Sequence, residues 1–392
     1  MRGLSRFVRS FNSYSESCCV AVVDTNVVEA NRQQSERRVI GFMSGTSMDS
    51  IDAALVVVRG KALHMTVEFV TGASLTFGPE RDVLRDLASG APVSALTATQ
   101  AIRAFSQRHR ELGLQLIQAH GPVDLLAIHG QTIVHQPPLS WQALLPWEVA
   151  QGINAPVVSD LRAADISVGG QGAPITPLAD WILFRDESAS RAIVNLGGFC
   201  NVTTLPAGGA PEDIRACDVC ACNLVLDAVA RRALGADFDV DGAAAARGCS
   251  NEDAARALDS LLESQSRDER SLGTGDEATT WVDAWRDTIP PDDLAASAAQ
   301  AVGAVIGRAL QDVDAVYLAG GGANNRALVA SIDRASSTKS RPLDELGIQG
   351  AWREAVEMAV LGCLCQDGVP ITLPHITGAT APMVAGVWTN LR

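Results

Sequence analysis

Val39, Ile40 and Phe42 lead into GFMSGTSMDSID (residues 41–52), and the apolar run 51–58, IDAALVVV, leads out. Two such runs around a Gly-Thr-Ser turn predict a hairpin of two strands with a polar tip. A third strand is expected over 65–71. The spacing then turns helical, with a short helix over 79–88 and a long one capped by Ser94, whose apolar face carries Leu96, Ile102, Phe105, Leu112 and Leu116. Residues 125–128 read as a buried strand ending in His129-Gly130-Gln131-Thr132.

The pattern restarts at Arg191. A strand over 192–196, a Gly197-Gly198 turn and a return strand over 202–205 repeat the hairpin, followed by a strand over 214–217 and a helix over 224–234. Near the end, a buried strand over 315–318 runs into Gly320-Gly321-Gly322-Ala323-Asn324-Asn325 and a further helix. The second half therefore echoes the first in element order, though hardly in residues. The expected class is α/β with two domains, residues 37–165 and 166–392, behind an extension of residues 1–36.

The hairpin tip offers Gly45 for close backbone approach, the hydroxyls of Ser44, Thr46 and Ser47, and the carboxylates Asp49 and Asp52. Amides and hydroxyls in a turn cradle an anion, and a carboxylate beside them can hold a hydrated divalent cation. An ordinary Ser/Thr/Asp-rich hairpin is the plain alternative. His129 and Gln131 lie where ligands of open α/β sheets usually sit, or are structural. The dense glycines of 169–174, GGQGAP, wrap a ligand or form a hinge, and Gly320, Gly321 and Gly322 would let a phosphate or a planar ring lie against the main chain. The charged segment 264–287, with Gly273-Thr274-Gly275-Asp276-Glu277 and two tryptophans, reads as a solvated connection or a loop bearing on the site.

Composition narrows these options. With 45 acidic against 31 basic residues the chain carries a net charge of −14, which disfavours nucleic acid or an anionic membrane as partner. The only lysines, Lys61 and Lys339, stand outside any GxxxxGK[ST] context, which excludes a P-loop. Nine cysteines are too sparse for a secreted disulfide scaffold and fit a reducing compartment. Cys217, Cys220 and Cys222 are spaced closely enough for a metal, but no second Cys or His cluster stands at ligand spacing. No apolar run reaches the length of a membrane span. Residues 1–36, rich in Ser and Arg with no acid before Glu16, resemble a transit peptide, with a disordered extension or a start placed too far upstream as the competing account.

Two β-rich halves, each opening on a Gly-rich hairpin, resemble the acetate and sugar kinase, heat-shock chaperone and actin superfamily. More narrowly, the sequence resembles the anhydro-N-acetylmuramic acid kinase family through GFMSGTSMDSIDAAL (41–55), IHGQT (128–132), SDLR (159–162), GGQGAP (169–174), NLGGFCNVT (195–203), AGGGANN (319–325), REA (353–355) and LPHITGA (373–379). The resemblance implies a duplicated, RNase H-like, actin-like fold that closes a central cleft on ATP, with Mg²⁺, and a 1,6-anhydro sugar. It implies an enzyme that opens the anhydro ring with water and phosphorylates the 6-oxygen, in cytoplasmic recycling of cell-wall fragments. Nucleotide binding carries over to Gly45, Thr46, Ser47, Met48, Asp49, Ser50, Ile51 and Asp52, and the general base to Asp218. Gly197 and Gly198 join Gly320 to Gly322 on the nucleotide side; His129, Gln131, Gln171, Asn223 and Glu354 are expected on the sugar side. Metal ligands are left open, as is a homodimer.

Two departures stand out. The family's Asp-Thr-Gly-Pro-Gly-Asn turn reads Asp218-Val219-Cys220-Ala221-Cys222-Asn223, and its Thr-Gly-Arg-Glu reads Thr274-Gly275-Asp276-Glu277. The lost arginine keeps a kinase for levoglucosan or another anhydrosugar in view. A nucleotide-binding sensor is opposed by the retained Asp218, Asn223 and hairpin, and a hydrolase using Ser44 or Ser47 lacks the GxSxG elbow.

Overall fold

The computed structural model describes residues 36–267, 272 and 278–390. The hairpin forms as expected, with β1 (Glu36–Ser44) antiparallel to β2 (Ser50–Arg59). β3 (Thr66–Thr76), longer than its apolar run suggested, adds to β2; β4 (Leu125–Ile128) lies parallel to β1. A small separate ladder, β5 (Gln131–Gln136) with β6 (Leu139–Ala143), follows, and β7 (Val157–Ser159) then pairs in parallel with β4.

The second sheet repeats this plan strand for strand. β8 (Arg191–Leu196) and β9 (Phe199–Leu205) form the hairpin, and β10 (Arg215–Ala221) is the third antiparallel strand. β11 (Ala315–Ala319) and β12 (Ser340–Pro342) add in parallel on the other side. Orders β3-β2-β1-β4-β7 and β10-β9-β8-β11-β12 are thus equivalent, and β13 (Val387–Thr389) extends the first sheet antiparallel to β7.

Three apolar layers fill the space around the two sheets. Ile40, Phe42, Ile51 and Leu55 pack against the Ala95–His120 and Glu80–Ala88 helices. Alternate residues of the same strands, Val39, Ala54 and Val56, share a second core with Ile193, Leu205 and Tyr317 of the second sheet, around the Pro177–Phe184 and Arg353–Gln366 helices. The remaining face of the second sheet, with Ala192, Val194 and Val316, is covered by the Asn223–Val229, Glu252–Arg267 and Pro291–Ala309 helices. Because both faces are covered, β2 is buried almost throughout, which is why its sequence is a run and not an alternation.

The Arg353–Gln366 helix is fitted closely to the first sheet. A Cβ at Gly41 would collide with the Ala355 carbonyl and the Ala359 amide, so β1 accepts the helix only as glycine. At its start Arg353 Nη2 donates to both oxygens of Asp180, at 2.8 and 2.7 Å, and Nε lies 2.6 Å from Glu357, all three side chains at most 2% exposed. Burial pushes the Glu357 carboxyl well up, opposed by Arg353. Removing Asp180 would strand the guanidinium and cost about 3–5 kcal/mol.

Several expectations change. Leu96 is 69% exposed; nine residues from Phe105 at 100° each, it lies half a turn from the buried face. The strand expected to stop at Cys217 runs to Ala221, because Val219, Cys220 and Ala221 are fully buried and continue the pairing across a bulge, Cys220 opposite Cys200. Asp218 therefore lies within a strand. Part of the segment 264–287 is packed: Trp281, in the Thr279–Trp285 helix, is 5% exposed and donates to Ala254 O at 2.9 Å. Residues 273–277 fall outside the described residues.

Candidate active site

Two groups of side chains assemble, one at the tip of the first hairpin and one beside β10, the edge strand of the second sheet. The first is the hairpin tip. Thr46, Ser47 and Asp49 are exposed, Gly45 and Ser50 half-buried, and Met48 turns with φ 55°, its amide donating to Gly45 O at 3.2 Å. Met48 and Ile51 send their side chains into the outer core, so at the tip they offer only backbone. Asp49 pairs with Arg81, and Asp52 accepts from Ser50 and Ser74. Gln131, fully buried, donates Nε2 to Gly45 O at 3.3 Å and to Thr132 O at 3.4 Å, bracing the turn. Its Oε1 and the Ser44 hydroxyl are buried with no partner among the described residues, as a site awaiting a polar ligand or water would leave them.

The glycine turns converge in the second half. A Cβ at Gly320 (φ 81°) would lie 2.7 Å from Asn195 Oδ1 and Leu196 O, and one at Gly322 would lie 2.8 Å from Asn223 Oδ1. Asn223 donates to Leu196 O at 2.9 Å, between the Gly197-Gly198 turn and the Gly320 turn. It stands with the glycine turns and is not among the cavity-lining residues. Asp227, on the same helix as Asn223, is pushed up by burial, with Asp49 of the first half adding to the rise.

The second group surrounds a cavity of about 400 Å³, lined by Gln171 and Pro174 of the glycine-rich loop, by β10 including Asp218, and by His375. Asp218 Oδ2 accepts from the Leu272 amide at 2.8 Å. The loop is stapled in place: Gly172 N donates to Asp165 at 2.8 Å, Thr377 holds the other Asp165 oxygen, and Arg162 Nη1 donates to Gly172 O at 2.6 Å.

Arg162, absent from the expected site residues, is the centre of this group. Its guanidinium is close enough to feel both Asp218 and Glu354, while burial pulls its pKa down to about 10. Arg162 Nε donates to His129 Nε2 at 2.9 Å, which leaves the imidazole proton on Nδ1, against Gly130 O at 2.9 Å. Burial and the Arg162 charge push His129 down to about 3, so the ring is neutral. Glu354 accepts from Asn195 Nδ2 at 3.1 Å; burial pushes its carboxyl up, Arg353 opposes, and Asp52 adds to the rise. Asn195 was also missed. Both residues stood inside quoted segments, SDLR and NLGGFCNVT, but only distant contacts reveal their roles. Cys200, Cys220 and Cys222 are core thiols raised by burial.

A family model for anhydro-N-acetylmuramic acid kinase matches residues 37–390. The chain belongs to the anhydro-N-acetylmuramic acid kinase family. A kinase of that name from Salinibacter ruber is 33% identical over 393 residues, covering 90% of this chain and 96% of its own length. One from Synechococcus elongatus is 32% identical over 379 residues, covering 89% and 98%. Among solved structures, a ROK family glucokinase from Streptomyces griseus in complex with glucose and AMPPNP is 15% identical, covers 83% of this chain and 99% of its own, and has a TM-score of 0.37. Val219 to Cys222, which follow Asp218, are packed into the core of the second sheet.

Proposed function

We propose that this chain is an ATP-dependent anhydro-N-acetylmuramic acid kinase that opens the 1,6-anhydro ring with water and phosphorylates the 6-oxygen. The observation that carries the reading is Asp218 in the wall of a cavity whose loop is held at Gly172 by Arg162, itself bonded to His129 two residues before the Gln131 that braces the hairpin. Asp218 takes a proton from water as the oxygen attacks C1. The C1–O6 bond breaks, and O6, carrying that electron pair, attacks the γ-phosphorus of ATP and expels ADP. The Leu272 amide orients the base by holding one carboxylate oxygen.

The hairpin fits the triphosphate by its exposed hydroxyls, its open Gly45 and the unpartnered Ser44 hydroxyl. Among the described residues no cluster of three acidic, His or Cys side chains could cage a metal. That suits Mg²⁺, which is held by one or two carboxylates plus phosphates. Asp49, at the hairpin tip beside Arg81, and Asp227, whose carboxyl feels the Asp49 charge, are the donors we assign, and the ion would neutralise charge on the transferred phosphoryl group.

Among the described residues no helix is long and apolar enough to cross a membrane. A cytoplasmic role in recycling cell-wall fragments follows from the proposed substrate. ADP release against 1,6-anhydro-N-acetylmuramic acid, its analogue without the lactyl group, and levoglucosan tests the assignment. Turnover is expected with the first; turnover of levoglucosan alone, or of none, overturns it.

A further inference from the structure

One short segment braces both halves of the proposed reaction. Leaving β4, His129 turns one way and Gln131 the other, with Gly130 (φ 80°) between them. Gln131 donates to the Gly45 carbonyl of the hairpin, and His129 accepts from Arg162, whose other arm holds the Gly172 carbonyl of the cavity loop. His129 is 3% exposed with both ring nitrogens engaged inside the protein, and Gln131 is fully buried with its amide on backbone carbonyls. Neither contact places a ring nitrogen of His129 on a ligand.

We propose that His129 and Gln131 are positioning residues, with His129 fixing Arg162 against the cavity loop at Gly172 and Gln131 fixing the hairpin that receives the nucleotide. The inference rests on the kinase reading above, which names the two sides. Arg162 has one Nε–H, directed at His129, and a neutral imidazole is the acceptor that holds it without adding charge beside two carboxylates. A carboxylate in place of His129 would pair with the guanidinium and draw it away from them. On the other arm, the Gly45 carbonyl is what Gln131 holds, so its loss frees the hairpin and not the cavity.

The two arms should separate kinetically. His129→Phe keeps a planar ring and removes the acceptor; it should lower kcat with the anhydrosugar about 10- to 100-fold, leave KM for ATP within about twofold, and move the acidic limb of the pH–rate profile upward. His129→Gln restores an acceptor and should recover most of the loss. Gln131→Met should instead raise KM for ATP about tenfold with the acidic limb unmoved. Should His129→Phe not fold, NMR of the wild-type protein decides: a slowly exchanging Arg162 Nε–H correlated with His129 Nε2 is expected, and its absence overturns the inference. Equal effects of the two variants on both kinetic constants, or no rescue by His129→Gln, also overturn it. A wild-type protein that turns over no anhydrosugar overturns the kinase reading and this inference together, whereas an active wild type with an indistinguishable His129→Phe overturns this inference alone.

Discussion

The two sheets share their strand order yet place their chemistry on different strands. The second residue pair from the hairpin turn is Met43 opposite Asp52 in the first sheet and Asn195 opposite Asn201 in the second. On the third strand the neighbours are Ser74 and Asp218. The carboxylate thus sits on the middle strand in one half, tied to Ser74, and on the edge strand in the other, where it borders a cavity. The turns differ as well: a hydroxyl-rich loop with room around Gly45, against two glycines packed beside a crowded Gly320. A repeated frame fixes where polar groups can emerge; the residue at each outlet decides what emerges.

The sharpest way to break this comparison is Asp218→Asn. As general base its loss should cost about 10² to 10⁴ in kcat, with nucleotide affinity and melting temperature near normal. Turnover within a few-fold of the wild type would make Asp218 a structural acid and return the two halves to chemical equivalence.

Acid sensitivity should lie in the first half. His109 packs between Phe42 and Phe105, donates Nδ1–H to Phe105 O at 3.0 Å, and is pushed down to about 4 by burial. The unfolded chain takes up the proton near pH 6.5 and the folded one does not, so this stability is present above pH 6.5 and is lost as pH falls towards 4. The unfolding free energy of the wild type minus that of His109→Gln should fall by about 3 kcal/mol over that window. Chemical denaturation of both proteins at several pH values reads it; a flat difference would show that the ring is solvated.

The turns give the smallest and most local test. A Cβ at Gly45 meets only Ser47 Oγ at 3.7 Å, so Gly45→Val should spare the melting temperature while weakening ATP binding at least about tenfold. Gly320→Ala, at φ 81° with carbonyl and amide oxygens 2.7 Å away, should instead cost about 1–3 kcal/mol of stability. Calorimetry and nucleotide titration on both variants would expose a reversal.

Much of this frame was legible because strand runs and glycine turns are local signals. The hairpins, the Ser94 cap, accepting from the Thr97 amide at 3.1 Å, and the Leu125–Ile128 strand needed only neighbouring residues. What escaped depends on partners far along the chain. β13 is three residues that become a strand because β7 offers an open edge, and Arg162 looks like any loop arginine until His129 and Gly172 are brought to it. The strand carrying Asp218 was read too short because the burial of Val219 and Cys220 is a tertiary fact.

The helix Arg353–Gln366, which covers β1, β2 and β4, is made late, with little more than β13 still to follow. At roughly 5–20 residues per second, a ribosome needs on the order of 15–60 s to pass from the first hairpin to this helix. During that interval Val39, Ala54 and Val56 lack one part of the core they share, and Gly41 lies bare along the seat the helix will take. The amino-terminal sheet is therefore a long-lived nascent intermediate with one finished face and one unfinished face, closed only by the carboxyl-terminal part of the chain.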